Sequence, residues 1–168
     1  MAELLKGAPV ARALTEELAA RCVALRERGV VPTLAIVRVG EREDDLSYER
    51  GALKRCEKVG IEARRVLLPA DVSQDELLAA IEDINTDSSV HGCLMFRPLP
   101  AGLDEDAVAA ALDPAKDVDS MTPASLLPRF LGAARVLPPA QPKPCLLCWI
   151  ITALSWMGPR LLWSGARW

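Results

Sequence analysis

Apolar and polar positions along the first 119 residues switch between a helical and a strand period, and the switches mark out the elements. From Val10 to Arg28, Leu14, Leu18, Cys22 and Leu25 recur on one face and Gly29 follows as a stop, which predicts an amphipathic helix. Pro32 to Gly40 is a continuous apolar run between a proline and a glycine, so it reads as a strand buried on both faces. A charged loop, Glu41 to Asp45, leads into a second helix, Leu46 to Ile61. Its start signals are Asp44, Asp45 and Ser47, its stop is Gly60, and Leu53, Cys56 and Val59 form a thin apolar stripe. Tyr48 then falls in its first turn and points toward the loop after the preceding strand. Glu62 to Pro69 is a second strand, placed near a sheet edge by Arg64 and Arg65. Ser73, with Glu76 three places on, opens a helix to about Asn85. Asp87-Ser88-Ser89 is a turn, and Val90 to Phe96 is a third strand, ended by Arg97-Pro98-Leu99-Pro100. A short helix, Asp104 to Leu112, and an exposed loop, Pro114 to Asp119, complete the series.

Strands alternating with helices across short connections imply an α/β class, a three-layer α/β/α domain with a mostly parallel sheet, followed by an atypical apolar tail. Right-handed crossovers bring the strand ends at Gly40 and Phe96 to one edge together with the Lys116 to Asp119 loop. Open parallel sheets bind ligands at that edge. The expected cleft therefore collects Tyr48, Arg97, Lys116, Asp117 and Asp119. His91, the single histidine, starts a strand with no partner in sight, which makes it structural and removes Ser-His and Cys-His machinery from consideration.

Composition divides the chain in two. All 23 acidic residues and 15 of the 20 basic ones lie in residues 1–119, whereas residues 120–168 hold no acid, five bases and all four tryptophans. Residues 1–137 are accordingly expected to form the domain and 138–168 a separate tail. The acidic first part argues against nucleic acid, because phosphate neutralisation needs clustered Lys and Arg. The start, Met-Ala-Glu-Leu-Leu-Lys-Gly, has no basic region or long apolar run, so a cytoplasmic protein is expected, with Cys22, Cys56 and Cys93 as buried free thiols. Cys145 and Cys148 form one CxxC without a second pair, and no metal is expected there. Cys145 to Met157 is too short for a membrane span.

Four segments in order, Pro32-Thr-Leu-Ala-Ile-Val-Arg-Val-Gly40, Ser47-Tyr48 with Cys56-Glu57-Lys58-Val59-Gly60-Ile61, Gly92 to Pro100, and Lys116-Asp117-Val118-Asp119, carry a resemblance. From about Gly7 to Asp119 the chain resembles the N-terminal catalytic domain of the bifunctional methylenetetrahydrofolate dehydrogenase/methenyltetrahydrofolate cyclohydrolase family. The resemblance implies a tetrahydrofolate derivative as substrate, with Tyr48 stacking on it, Asp119 hydrogen-bonding the pterin edge, and Arg97, Pro98, Leu99 and Pro100 along the binding segment. It also implies a cytoplasmic homodimer. NADP serves the full-length family, through a following dinucleotide domain whose Gly-rich fingerprint this sequence lacks, so NADP is not expected to bind this chain.

Two departures bear on chemistry. The family's lysine four residues after the tyrosine is Ala52 here, and its glutamine in the third-strand motif is Phe96. Alanine can neither activate water nor steady developing charge, and Lys54 points about 200° away around the helix at about 100° per residue. Cyclohydrolase activity is therefore expected to be weak or absent. The alternative is a non-catalytic remnant that folds, dimerises or at most binds folate. The tail is expected to be a shifted reading frame: taken from the last base of the Pro139 codon, its codons are compatible with Pro-Cys-Thr and a helix, as if one base had been lost.

Overall fold

The structure, a computed structural model, describes residues 7–125. The elements are α1 (Gly7–Glu27), β1 (Thr33–Val39), α2 (Glu43–Val59), β2 (Glu62–Leu68), α3 (Gln74–Thr86), β3 (Gly92–Met95) and α4 (Glu105–Ala111). The tail and Cys145 and Cys148 lie outside the described residues. α1 starts three residues before the expected Val10, because Pro9 in the first turn lacks only an N–H that needs no helical partner there. The stop of α2 is as expected: Gly60 sits at φ +83°, where a side chain would be strained, and its N–H reaches Cys56 O and Glu57 O.

The sheet is parallel throughout, in the order β2-β1-β3. β2, with its arginines, does take an edge. β3 is shorter than Val90 to Phe96, yet the ladder continues at both ends: His91 N–H donates to Thr33 O at 2.9 Å and Phe96 N–H to Val37 O at 3.0 Å. On the outer side of β3, Asp117 bridges Cys93 in parallel.

β1 alternates between two apolar layers, which is the three-layer arrangement expected from the sequence. Ala35, Val37 and Val39 pack with Leu77, Ile81 and Ile84 of α3 and Val108 of α4. Leu34 and Ile36 face the other way, onto Leu18 and Cys22 of α1 and Cys56 and Val59 of α2. Burying these side chains stabilises each by about 1.5–3 kcal/mol. Cys22, Cys56 and Cys93 are free and buried. Burial pushes the Cys56 thiol up to about 11 and, with the Asp117 carboxylate nearby, that of Cys93 up to about 12, so both stay inert near neutrality. No helix among the described residues is long and apolar enough to cross a membrane.

Candidate functional site

β1 feeds α2 on one face of the sheet and β3 feeds α4 on the other, so the connecting helices diverge at the carboxyl ends of these two strands, which is where open parallel sheets have their ligand crevice. Tyr48 reaches this crevice from α2. The helix begins earlier than its side chains suggest: Arg42 is the N-cap, without a side-chain cap bond. Asp44 and Asp45 stand inside the first turn, where carboxylates suit the helix dipole, and Ser47 is helical rather than capping. Tyr48 consequently lies in the second turn. Its ring meets that of Phe96, just past β3, with centroids 5.3 Å apart and planes at 85°, the favoured edge-to-face arrangement. Tyr48 is 44% exposed and Phe96 only 7%, so a wet aromatic surface rests on a dry one.

The segment that carries Asp119 runs beside β3. Asp117, two residues before it, stands opposite Cys93 in an isolated parallel bridge. Val118 is buried in the same apolar cluster as Phe96. Asp117 shapes the turn: its Oδ1 accepts the N–H groups of Asp119 and Met121, both at 3.1 Å, and its Oδ2 that of Thr122 at 2.8 Å. This holds Ser120 at φ +56°.

Arg97 and Pro98 are exposed and Leu99 and Pro100 half-buried. Arg97 pairs with Glu105 at 3.4 Å, and the other oxygen of Glu105 accepts the Leu99 N–H at 3.1 Å. From the far side of the crevice, Arg42 donates to the Pro98 carbonyl at 3.3 Å, which ties the start of α2 to this segment.

Lys116 is not part of the edge. Its Nζ donates to Ile84 O at 2.6 Å and Asp87 O at 2.7 Å, at the opposite end of β3. The last carbonyls of α3 lack helical partners and attract an ammonium, so Lys116 closes that helix instead of pairing with Asp117. An open groove of 620 Å³ at the amino-terminal edge is lined by Val31, Thr33, Glu62, Arg64, Ser89 and His91. There His91 is structural, its Nδ1 accepting the Thr33 N–H at 3.3 Å, while Arg64 is paired with Asp87. No cluster that could hold a metal occurs among the described residues.

Sequence reasoning missed a buried ionic group beneath the site. Arg38 is 3% exposed and Glu49 1%. Arg38 Nε donates to Glu49 Oε2 at 2.9 Å, its Nη1 to Gly40 O, and Arg65 Nε donates to Glu49 Oε1. Two signals could have found it. Arg38 interrupts a strand read as buried on both faces, and Glu49 stands one heptad before Cys56 on the buried side of α2. Buried ions need one another.

The tetrahydrofolate dehydrogenase/cyclohydrolase catalytic-domain family matches residues 5–119. The bifunctional protein FolD of Alkaliphilus oremlandii is 42% identical over 142 residues, which is 84% of this chain and 50% of that protein. Its counterpart in Clostridioides difficile is 42% identical over 140 residues, covering 83% and 49%. The chain thus spans about half the length of these relatives. Among solved structures, the bifunctional FolD dehydrogenase/cyclohydrolase of Campylobacter jejuni superposes with a TM-score of 0.74 at 33% identity, over 77% of this chain and 46% of that one. The Trypanosoma brucei enzyme, complexed with NADP cofactor and inhibitor, gives 0.67 at 31%, over 78% and 43%.

Proposed function

The chain belongs to the tetrahydrofolate dehydrogenase/cyclohydrolase family, and from that premise we propose that its described domain binds a tetrahydrofolate derivative at the carboxyl edge of the sheet. The observation that carries this reading is the half-exposed Tyr48 ring backed by Phe96, with Asp119 two residues past the bridge to β3. A flat heterocycle can stack on the tyrosine, and a carboxylate accepts its N–H donors. Arg97, Pro98, Leu99 and Pro100 line the far wall, stitched to α2 by Arg42.

Hydrolysis of a methenyl bridge is weak or absent on this chain. One turn beyond Tyr48, where the resemblance implies a lysine, the methyl group of Ala52 packs half-buried against the cluster of Leu34, Ile36 and Cys56. Nothing at that position can take up or release a proton. Phe96 likewise offers a ring edge where an amide would hold a polar group. The family implies NADP for the dehydrogenase reaction, but the starts of α2, α3 and α4 do not fit its pyrophosphate. The first turns of α2, α3 and α4 carry Glu43, Asp44 and Asp45, then Asp75 and Glu76, then Glu105 and Asp106. Carboxylates at helix starts repel the anion that a helix N-terminus would otherwise hold.

Calorimetric titration with tetrahydrofolate tests the reading. The expected result is saturable binding that Tyr48→Ala abolishes, no methenyl hydrolysis above buffer, and no NADP-linked oxidation of methylenetetrahydrofolate. Absence of binding by the folded chain sinks the proposal and leaves the second reading, a non-catalytic dimerising remnant, which the loss of an ionisable group at Ala52 also favours.

A further inference from the structure

We propose that Glu49 is a positioning residue for this site: clamped between Arg38 and Arg65, it fixes the second turn of α2, and with it the ring of Tyr48, at the carboxyl edge of the sheet. Its consequence for binding rests on the reading of Tyr48 as a folate platform; its structural content does not.

The clamp reaches three elements. Each oxygen of the Glu49 carboxylate takes one guanidinium, from Arg38 in β1 and Arg65 in β2, so α2 is pinned to two strands at once. Arg38 also donates to the carbonyl of Gly40, whose φ of +75° forms the turn that launches the helix. One guanidinium thereby sets both the exit from β1 and the rotation of the second turn, and Tyr48 is the residue next to Glu49.

Stability alone does not call for such a group. The same face of the sheet is otherwise filled by Leu34, Ile36, Cys56 and Val59, and apolar side chains of similar size fill such space at less cost than buried ions. What charged pairs add is direction, because apolar contacts tolerate sliding and rolling while a carboxylate held from two sides does not. This part of α2 needs an external fix. Its N-cap makes no side-chain bond, and Gly51, with open space around it, weakens the helix interior.

Tyr48 is the single tyrosine of the chain, so biosynthetic 3-fluorotyrosine gives one ¹⁹F resonance that reports its placement directly. The variants are Glu49→Gln, the apolar double variant Arg38→Met with Glu49→Leu, and Arg65→Met against Arg65→Lys. The wild type should give one narrow line. Glu49→Gln and the double variant should broaden or split it and weaken tetrahydrofolate binding about tenfold, the scale of one lost contact. The double variant should nevertheless unfold at a denaturant concentration close to wild type. Arg65→Met should broaden the line and Arg65→Lys restore it. A wild-type line in the double variant, or a heterogeneous line in the wild type itself, overturns the proposal. Should Glu49→Gln fail to fold, the double variant and Arg65→Met decide the matter alone. Should tetrahydrofolate not bind the wild type, the line shapes still decide it, which separates this inference from the proposed function.

Discussion

α2 and α3 cover opposite faces of one sheet and are held there by opposite means. α3 keeps its polar chemistry at its ends. Ser73 and Glu76 form a capping box, and Lys116 takes the carbonyls of Ile84 and Asp87. Between these ends the buried stripe, Leu77, Ile81 and Ile84, is entirely apolar. α2 inverts the pattern: no side chain caps its start, a glycine interrupts it at 51, and its buried stripe begins with a carboxylate, Glu49. α3 is thus stabilised locally and by burial, while α2 depends on two strands for its placement. The helix that carries Tyr48 gives up local stability for a defined position.

The largest expected effect lies on the apolar face. Ile81→Ala leaves a cavity among Val37, Val90 and Val108 in a layer with no polar group to rearrange, and should destabilise by about 2–5 kcal/mol. Denaturant unfolding at unchanged m-value measures it. Tetrahydrofolate affinity and the Tyr48 resonance should stay at wild-type values wherever the variant is folded. If either moves as far as in the Glu49 variants, the two faces are not separable and the contrast fails.

The same contrast explains what the sequence showed and what it hid. Signals that act within four or five residues were legible: Pro32 and Gly40 bounding β1, Gly60 ending α2, and Ser73 with Glu76 opening α3. The start of α2 was misplaced by three residues because acids and a serine at 44–47 look like caps when none of them is one. Lys116 was assigned to the wrong end of the sheet because its partners, the carbonyls of Ile84 in α3 and of the cap residue Asp87, lie 32 and 29 positions away. Arg38 and Glu49 were missed because their bond spans 11 positions between a strand and a helix, and only the fold shows that both point inward. The meeting of Tyr48 with the end of β3 followed from strand order, since a parallel sheet wound on both faces brings the starts of its following helices to its carboxyl end.

Serine substitutions sharpen the comparison at a smaller scale. Ser73→Ala removes a true cap, whose hydroxyl accepts the Glu76 N–H, and should cost about 1 kcal/mol. Ser47→Ala, at the serine that resembles a cap in α2, touches an exposed helical position and should be neutral or stabilise by up to about 0.5 kcal/mol, as alanine is the better helix former. Thermal melts of the two variants side by side read the sign. Equal losses would mean that α2 does use Ser47 at its start and is capped after all.

The smallest effect is a pH dependence at the far end of α3. The hydroxyl and N–H of Ser89, and then Arg64, hold the Asp87 carboxyl at about 2, below its ordinary 3.8. Glu76 is lowered in the same direction by Ser73 at the other end. A carboxylate with a folded value below its unfolded one contributes stability that is fully present above the unfolded value and disappears as pH falls through the folded one. Wild type should therefore be more stable than Asp87→Asn by a constant margin from about pH 7 to about pH 5, and the margin should shrink from about pH 4 to about pH 2. Both groups face solvent, so the margin is small and should fall further at high salt. A margin that does not change with pH would mean that Ser89 and Arg64 favour the charged Asp87 no more than water does. The turn after α3 would then owe its order to Lys116 and the buried stripe, a tertiary fix of the kind that holds α2.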